Sequence, residues 1–241
     1  MGRLEGKSAI ITGAASGIGR ALAAGLAAEG MRLVLADVEA SALDAAVEQF
    51  RSAGHTVEGV VADVSDRAQV EAVAAVAIDR FGALHFAANN AGVAIGGPAW
   101  ELTEADWQWV LGVDLWGVIH GVSVFTPLII EAGGGHIVNT ASMAGLTSTP
   151  FMAPYNVAKH GVVTLSETLA LELARRTLLN NLDESTAKTM QEAAGASGAG
   201  VSTMCSSGAS MRLSFQGKNR PGSPRTSPPK FRLSSAAWNS S

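Results

Sequence analysis

Residues Ile11–Arg20 read ITGAASGIGR. They set Gly13, Gly17 and Gly19 between an apolar run, Lys7–Thr12, and an alanine-rich run, Gly17–Glu29. A buried strand that turns abruptly into a helix accounts for this order. Gly13 permits the tight turn, Gly17 lets the backbone approach a ligand with no Cβ in the way, and Gly19 lets the helix pack close to its neighbours. The N-terminus of that helix then offers free N–H donors and a partial positive charge, which suits the pyrophosphate of a dinucleotide. The spacing is Gly-x3-Gly-x-Gly rather than the Gly-x-Gly-x2-Gly of the standard dinucleotide fingerprint. Taken alone, the three glycines also fit simple helix packing.

Working outward, strands and helices alternate. Gly30 is placed to end the first helix. Arg32–Ala36 is a second strand ending at Asp37, and Ala40–Ala53 has helical period. Thr56–Ala62 is a third strand ending at Asp63, followed by a helix over Asp66–Phe81 capped by Ser65 or Asp66. Leu84–Ala88, a long helix at Trp107–Glu131, a strand at His136–Thr140 and a helix at Ala153–Arg176 complete the pattern. This order implies parallel βαβ units and hence an α/β, Rossmann-like doubly wound parallel sheet in a single domain. Trp107–Ile130 is long and apolar enough to suggest a membrane span, but Asp114 and His120 would be costly in lipid, so a helix buried in protein is expected.

Composition narrows the class. The chain has 241 residues, 47% of them apolar, and a formal charge of -4. That supports a substantial core and argues against nucleic acid as a partner. The single cysteine, Cys205, allows no internal disulfide and fits a reducing compartment. The N-terminus shows no signal-peptide pattern, so a cytoplasmic, non-membrane protein is expected. The five histidines show no ligand spacing, and no metal site is expected. Charge then divides the chain. Residues 1–174 carry 8 basic and 18 acidic residues, and residues 175–241 carry 9 and 3. Residues 1–176 form the expected nucleotide-binding domain. Residues 177–213 are a divergent segment with a possible sixth strand at GVSTMC, residues 200–205. Residues 214–241 are a Ser/Pro/basic tail expected to be disordered, making an atypical C-terminal third.

Several further stretches agree with the glycine turn. NNAG, Asn89–Gly92, follows the fourth strand. NTASMAG sets Ser142 at the end of the fifth strand, and YNVAK gives Tyr155-x3-Lys159, with Ser142 thirteen residues before Tyr155. VDLWGVIHG, Val113–Gly121, opens the long helix. Over residues 5–176 these motifs resemble the short-chain dehydrogenase/reductase family. The resemblance implies an NAD(P)-dependent oxidoreductase moving a hydride between nicotinamide and a small alcohol or ketone. It implies that Gly13, Ser16, Gly17, Ile18 and Gly19 hold the pyrophosphate, that Asp63 and Val64 flank the adenine, and that Asn90, Ala91 and Gly92 line the cofactor channel. It also implies a homodimer or homotetramer formed through the long helices.

Tyr155 and Lys159 are i and i+4 on one helix and share a face. An ammonium beside a phenol favours the phenolate, so such a pair can pass a proton to or from a substrate oxygen while hydride moves. Ser142 would hold that oxygen, and in the family the equivalent lysine also binds the nicotinamide ribose. Asp37, ending the second strand, can accept hydrogen bonds from the adenosine ribose hydroxyls and would repel a 2′-phosphate, which favours NAD over NADP. Asp114 stands where the family usually has an asparagine in a proton relay. The Pro-Gly turn usual after the sixth strand is replaced here by serines and Gly208. A second reading therefore stands beside the enzyme: a catalytically impaired nucleotide-binding or subunit-interacting protein, or a truncated or frame-altered product. Trp100, Trp107, Trp109 and Trp116 are expected as core or subunit-interface anchors rather than as pocket walls.

Overall fold

The computed structural model describes residues 4–181 and 211–216. The GVSTMC segment and most of the basic tail lie outside the described residues. Five parallel strands form the sheet: β1 (Ser8–Thr12), β2 (Arg32–Asp37), β3 (Val57–Val61), β4 (Phe86–Asn89) and β5 (Gly134–Asn139). A sixth, β6 (Met211–Gln216), pairs antiparallel with β5, and the order is β3-β2-β1-β4-β5-β6. Helices α1 (Gly17–Ala28), α2 (Ala40–Ser52), α3 (Arg67–Phe81), α4 (Glu104–Leu111) and α5 (Gly117–Glu131) connect the parallel strands, and α6 (Ala153–Asn181) follows β5. The fold is the expected Rossmann-like, doubly wound one.

The apolar runs are continuous because both faces of the sheet are covered. Successive side chains of β1 go to opposite faces. Ile10 joins Val34, Ala87 and Ile137 against Val73 and Ala77 of α3, Phe125 and Ile129 of α5, and Leu169 of α6. Ala9 and Ile11 join Leu33, Leu35 and Val138 against Ala23 and Ala27 of α1 and Leu43 and Phe50 of α2. The result is three layers, with every residue of β1 buried.

Three local differences from the sequence reading have physical causes. The long helix starts at Glu104, not Trp107, because Thr103 and Asp106 form a reciprocal capping box. Thr103 Oγ1 accepts from the Asp106 N–H, and Asp106 Oδ2 accepts from the Thr103 N–H. The same helix is interrupted by a π-turn at Gly112–Trp116, between α4 and α5, which carries Asp114. Such turns concentrate at functional sites. Finally, the chain enters β6 at Met211, opposite Asn139, at the carboxyl edge of the sheet. A strand entered from that edge runs antiparallel. It crosses the boundary expected between residues 213 and 214.

The Glu104–Glu131 stretch, which contains an 18-residue window of mean hydropathy 1.6, has the length and apolar character of a membrane span. In the fold its inner face, including Val118, Gly121, Phe125 and Ile129, is buried, and Phe125 and Ile129 sit in the core beside Ile137 of β5.

Candidate active site

The carboxyl ends of β1, β2, β4 and β5 open onto one cleft of about 1020 Å³. In an open α/β sheet this edge is where ligands bind. Gly13, Ser16, Gly17, Ile18, Asp37, Asp63, Val64, Asn90, Ala91, Gly92, Asp114, Ser142, Tyr155 and Lys159 all line it. Gly19 is the one expected site residue that lies behind it rather than on its wall.

The glycine turn is fixed by contacts as well as by dihedral angles. Gly13 and Gly17 have φ of 63° and 52°, in the left-handed region. A Cβ on Gly13 would sit 2.8 Å from Ala91 Cα, and one on Gly19 would sit 2.1 Å from the Gly13 carbonyl oxygen. At Gly17 a Cβ would meet nothing within 4 Å, so its bare backbone faces open space in the cleft. Ser16, the N-cap of α1, makes no side-chain cap. The first-turn N–H groups thus keep their donors for an anion. Asn90 braces this turn from behind: its Nδ2 donates to the Thr12 and Gly13 carbonyls, and its Oδ1 accepts from Thr140 Oγ1.

At the far end Asp37 closes β2. Its Oδ2 accepts from the Ala15 N–H at 2.9 Å and its Oδ1 from the Glu39 N–H at 3.1 Å. The carboxylate is therefore held rigidly in the cleft beside Glu39. Asp63 Oδ1 accepts from the Ser65 N–H at 2.8 Å, which fixes the loop that presents Val64.

The opposite end holds the reactive cluster. Lys159, buried, donates to the Thr140 carbonyl at 3.0 Å and forms an ion pair with Asp114 Oδ2 at 3.0 Å. Its Nζ lies 5.5 Å from the centroid of the Tyr155 ring, one turn earlier on α6. Asp114 is fully buried, and its Oδ1 accepts from the Val93 N–H at 2.6 Å. Burial pushes its carboxyl above the ordinary value, against the opposing pulls of Lys159 and the Val93 N–H. Gly92 makes room for it, since a Cβ there would come within 3.2 Å of Oδ2. Ser142 caps the 3₁₀ turn Met143–Gly145, and its Oγ accepts from the Ala144 N–H at 3.1 Å. That leaves the Ser142 O–H free to donate.

Behind this cluster a buried polar chain ties the sheet to α6. Asn89 donates to Asn139, Asn139 to Ser166 Oγ, and Ser166 to the Val162 carbonyl. Asn89 accordingly supports the sheet and stands outside the cleft. Gly121 is required beside it: a Cβ there would lie 1.9 Å from Asn89 Oδ1.

Sequence reasoning missed part of the wall. Gln108, Trp109, Met143 and Met152 also line the cleft. Their only sequence signal is proximity, since Met143 follows Ser142 and Trp109 precedes Asp114 by five residues. Three of the four tryptophans expected as core or subunit-interface anchors lie outside the core. Trp100, in the turn before α4, Trp109 on α4 and Trp116 in the π-turn are 84%, 49% and 53% exposed, and Trp109 faces the cleft.

A doubly wound sheet thus opens at one edge on a single cleft lined by the glycine turn, Asp37, Ser142, Tyr155 and Lys159. The description of the short chain dehydrogenase family matches residues 7–182, and the chain belongs to that family. A short chain dehydrogenase/reductase from Burkholderia phymatum, solved in complex with NAD, is 51% identical with a TM-score of 0.71, over 73% of this chain and 63% of that one. SadH of Mycobacterium tuberculosis, named as an oxidoreductase, is 40% identical over 72% of this chain and 63% of its own length. Cyclohexanol dehydrogenase of an Acinetobacter strain is 38% identical over 71% of this chain and 69% of its own. This chain thus spans under two thirds of the length of the first two.

Proposed function

We propose that the protein is an NAD-dependent oxidoreductase that interconverts an alcohol and a ketone. The observation that carries this is the meeting of Ser142, Tyr155 and Lys159 on one wall of the cleft that the glycine turn opens. In the oxidative direction Tyr155 Oη takes the proton of the alcohol O–H as its carbinol carbon loses hydride. In the reductive direction it returns a proton to the ketone oxygen. Ser142 donates its O–H to that oxygen and fixes its position. Nicotinamide, when bound, supplies or accepts the hydride.

Lys159 acts through Tyr155 and is itself held in place. Two of its three donors are engaged by Thr140 and Asp114, which leaves a third for the cofactor ribose hydroxyls. Asp114 is a positioning residue that fixes the ammonium. Ser16, Gly17 and Ile18 receive the pyrophosphate at the α1 N-terminus, and Gly19 behind them lets α1 pack against Gly13. Asp63 and Val64 flank the adenine, while Asn90, Ala91 and Gly92 border the channel. NAD is favoured over NADP because Asp37 and Glu39 meet the adenosine end, and Lys159 is the only cation lining the cleft among the described residues. A 2′-phosphate would face two carboxylates with nothing to neutralise it. Apolar side chains left exposed on the π-turn and α6, Trp116, Val157 and Leu171, support a homodimer or homotetramer through these helices. The composition supports a cytoplasmic site of action.

The test is NADH formation by the full chain with a secondary alcohol. Tyr155→Phe is expected to lower the rate by about 10²–10⁴-fold, the usual contribution of a positioned acid–base group. A variant that keeps its rate would contradict the assignment.

A further inference from the structure

The cleft has a substrate end as well as a cofactor end, and its chemistry is one-sided. Around Ser142 and Tyr155 the wall is built from Val93, Ala94, Trp109, Met143 and Met152. Trp109 and Met143 are each 49% exposed. Large apolar side chains left open at a cleft mouth mark a binding surface rather than a core.

Charge is missing from this end. The charged residues lining the cleft are Asp37, Glu39, Asp63, Asp114 and Lys159. The first three flank the adenosine end, and the last two are paired with each other. Among the described residues no cation is left to anchor a carboxylate or phosphate. The polar side chains that join this wall, Gln108 and Thr149, are uncharged. The Gln108 amide is turned to Glu104, where its Nε2 donates at 2.8 Å.

The rim is also held in shape. Phe151 has φ of 63°, a left-handed conformation that a bulky side chain rarely adopts. Its carbonyl accepts from the Gly97 N–H at 2.8 Å. That bond ties the loop after β5 to the loop after β4. Backbone strain of this kind gathers at ligand clamps.

We infer that the substrate is an uncharged secondary alcohol, or the matching ketone, carrying an apolar ring. The ring lies against the Trp109 face and the Met143 and Met152 thioethers, contacts that favour aromatic and alicyclic groups. This rests on the oxidoreductase reading above and names the substrate class of the same site.

The experiment uses the full chain with NAD and three alcohols: 1-phenylethanol, the anion 3-hydroxybutyrate and the polyol xylitol. The expected kcat/KM for 1-phenylethanol exceeds that of the other two by at least tenfold. Trp109→Ala is expected to raise KM for 1-phenylethanol at least tenfold while the NAD-induced rise in Tm persists. A second readout needs no turnover: acetophenone should change the tryptophan fluorescence of the NADH complex of Tyr155→Phe, and not that of the Tyr155→Phe/Trp109→Ala double variant. Equal or better turnover of the anion or the polyol overturns the inference and leaves the oxidoreductase reading standing. So does an NAD-induced Tm rise with neither 1-phenylethanol turnover nor acetophenone binding. Absence of any NAD-induced rise overturns the oxidoreductase reading itself.

Discussion

Removing the Asp114 side chain tests the reactive cluster through folding stability alone. Its Oδ2 is the counter-charge of the Lys159 ammonium at 3.0 Å, and both side chains are almost fully buried, 0% and 3% exposed. In Asp114→Ala the ammonium keeps only the Thr140 carbonyl, and the Val93 N–H loses its acceptor. Breaking a buried pair from one side costs about 3–5 kcal/mol, a large part of the roughly 5–15 kcal/mol that holds a domain folded. Asp114→Asn should cost less, about 1–3 kcal/mol, because the amide has one acceptor oxygen for two donors and strands only one of them.

The pH dependence has a definite sign. Burial raises the Asp114 carboxyl above its ordinary value near 3.8, so the folded state binds its proton more tightly than the unfolded chain does. The resulting stability is fully present below the ordinary value and is lost as pH rises through the raised one. An asparagine has no such titration. The deficit of Asp114→Asn against the native chain should therefore shrink as pH rises from about 4 toward neutrality. Urea denaturation at a series of pH values reads this as the midpoint at constant m. An alanine variant within 1 kcal/mol of the native chain at pH 7, estimated against the buried-pair cost above, would refute the reasoning. So would an asparagine deficit that widens with pH.

Other expectations follow from the contacts. Gly19→Ala drives a Cβ into the Gly13 carbonyl at 2.1 Å. It should cost about 1–3 kcal/mol as overpacking and abolish the NAD-induced rise in Tm, as seen by thermal melts with and without cofactor. Phe125→Ala, in the core beneath β5 and fully buried, should cost about 3–5 kcal/mol. Its NAD dissociation constant, measured by titration below the melt, should stay within a fewfold of the native value.

Most of the sheet was legible in the sequence because buried parallel strands are short apolar runs ending at the residues that do chemistry. Asp37, Asp63 and Ser142 each stand at or just past a strand end, so the same pattern locates fold and site. The Ser142, Tyr155 and Lys159 spacing carried the cluster, since one helical turn separates the last two. What the sequence hid depends on tertiary contact. The π-turn at Gly112–Trp116 has no composition of its own and is set by how Asp114 meets Val93 and Lys159. The exposure of Trp109 and Trp116 cannot be read from helical period, which marks a face and not what covers it. The possible sixth strand was expected at residues 200–205 and not at β6, although Met211, Leu213 and Phe215 alternate with Arg212, Ser214 and Gln216, a strand period. Its antiparallel direction is settled by the edge at which the chain enters.

Thermal melts of the full chain with NAD and, separately, with NADP show whether the glycine turn and Asp37 form an NAD site. A single cooperative melt is expected that NAD raises, by about 2.7 kcal/mol at a hundredfold excess over its dissociation constant, and that NADP raises much less. No rise with either nucleotide, or a larger rise with NADP, would contradict it.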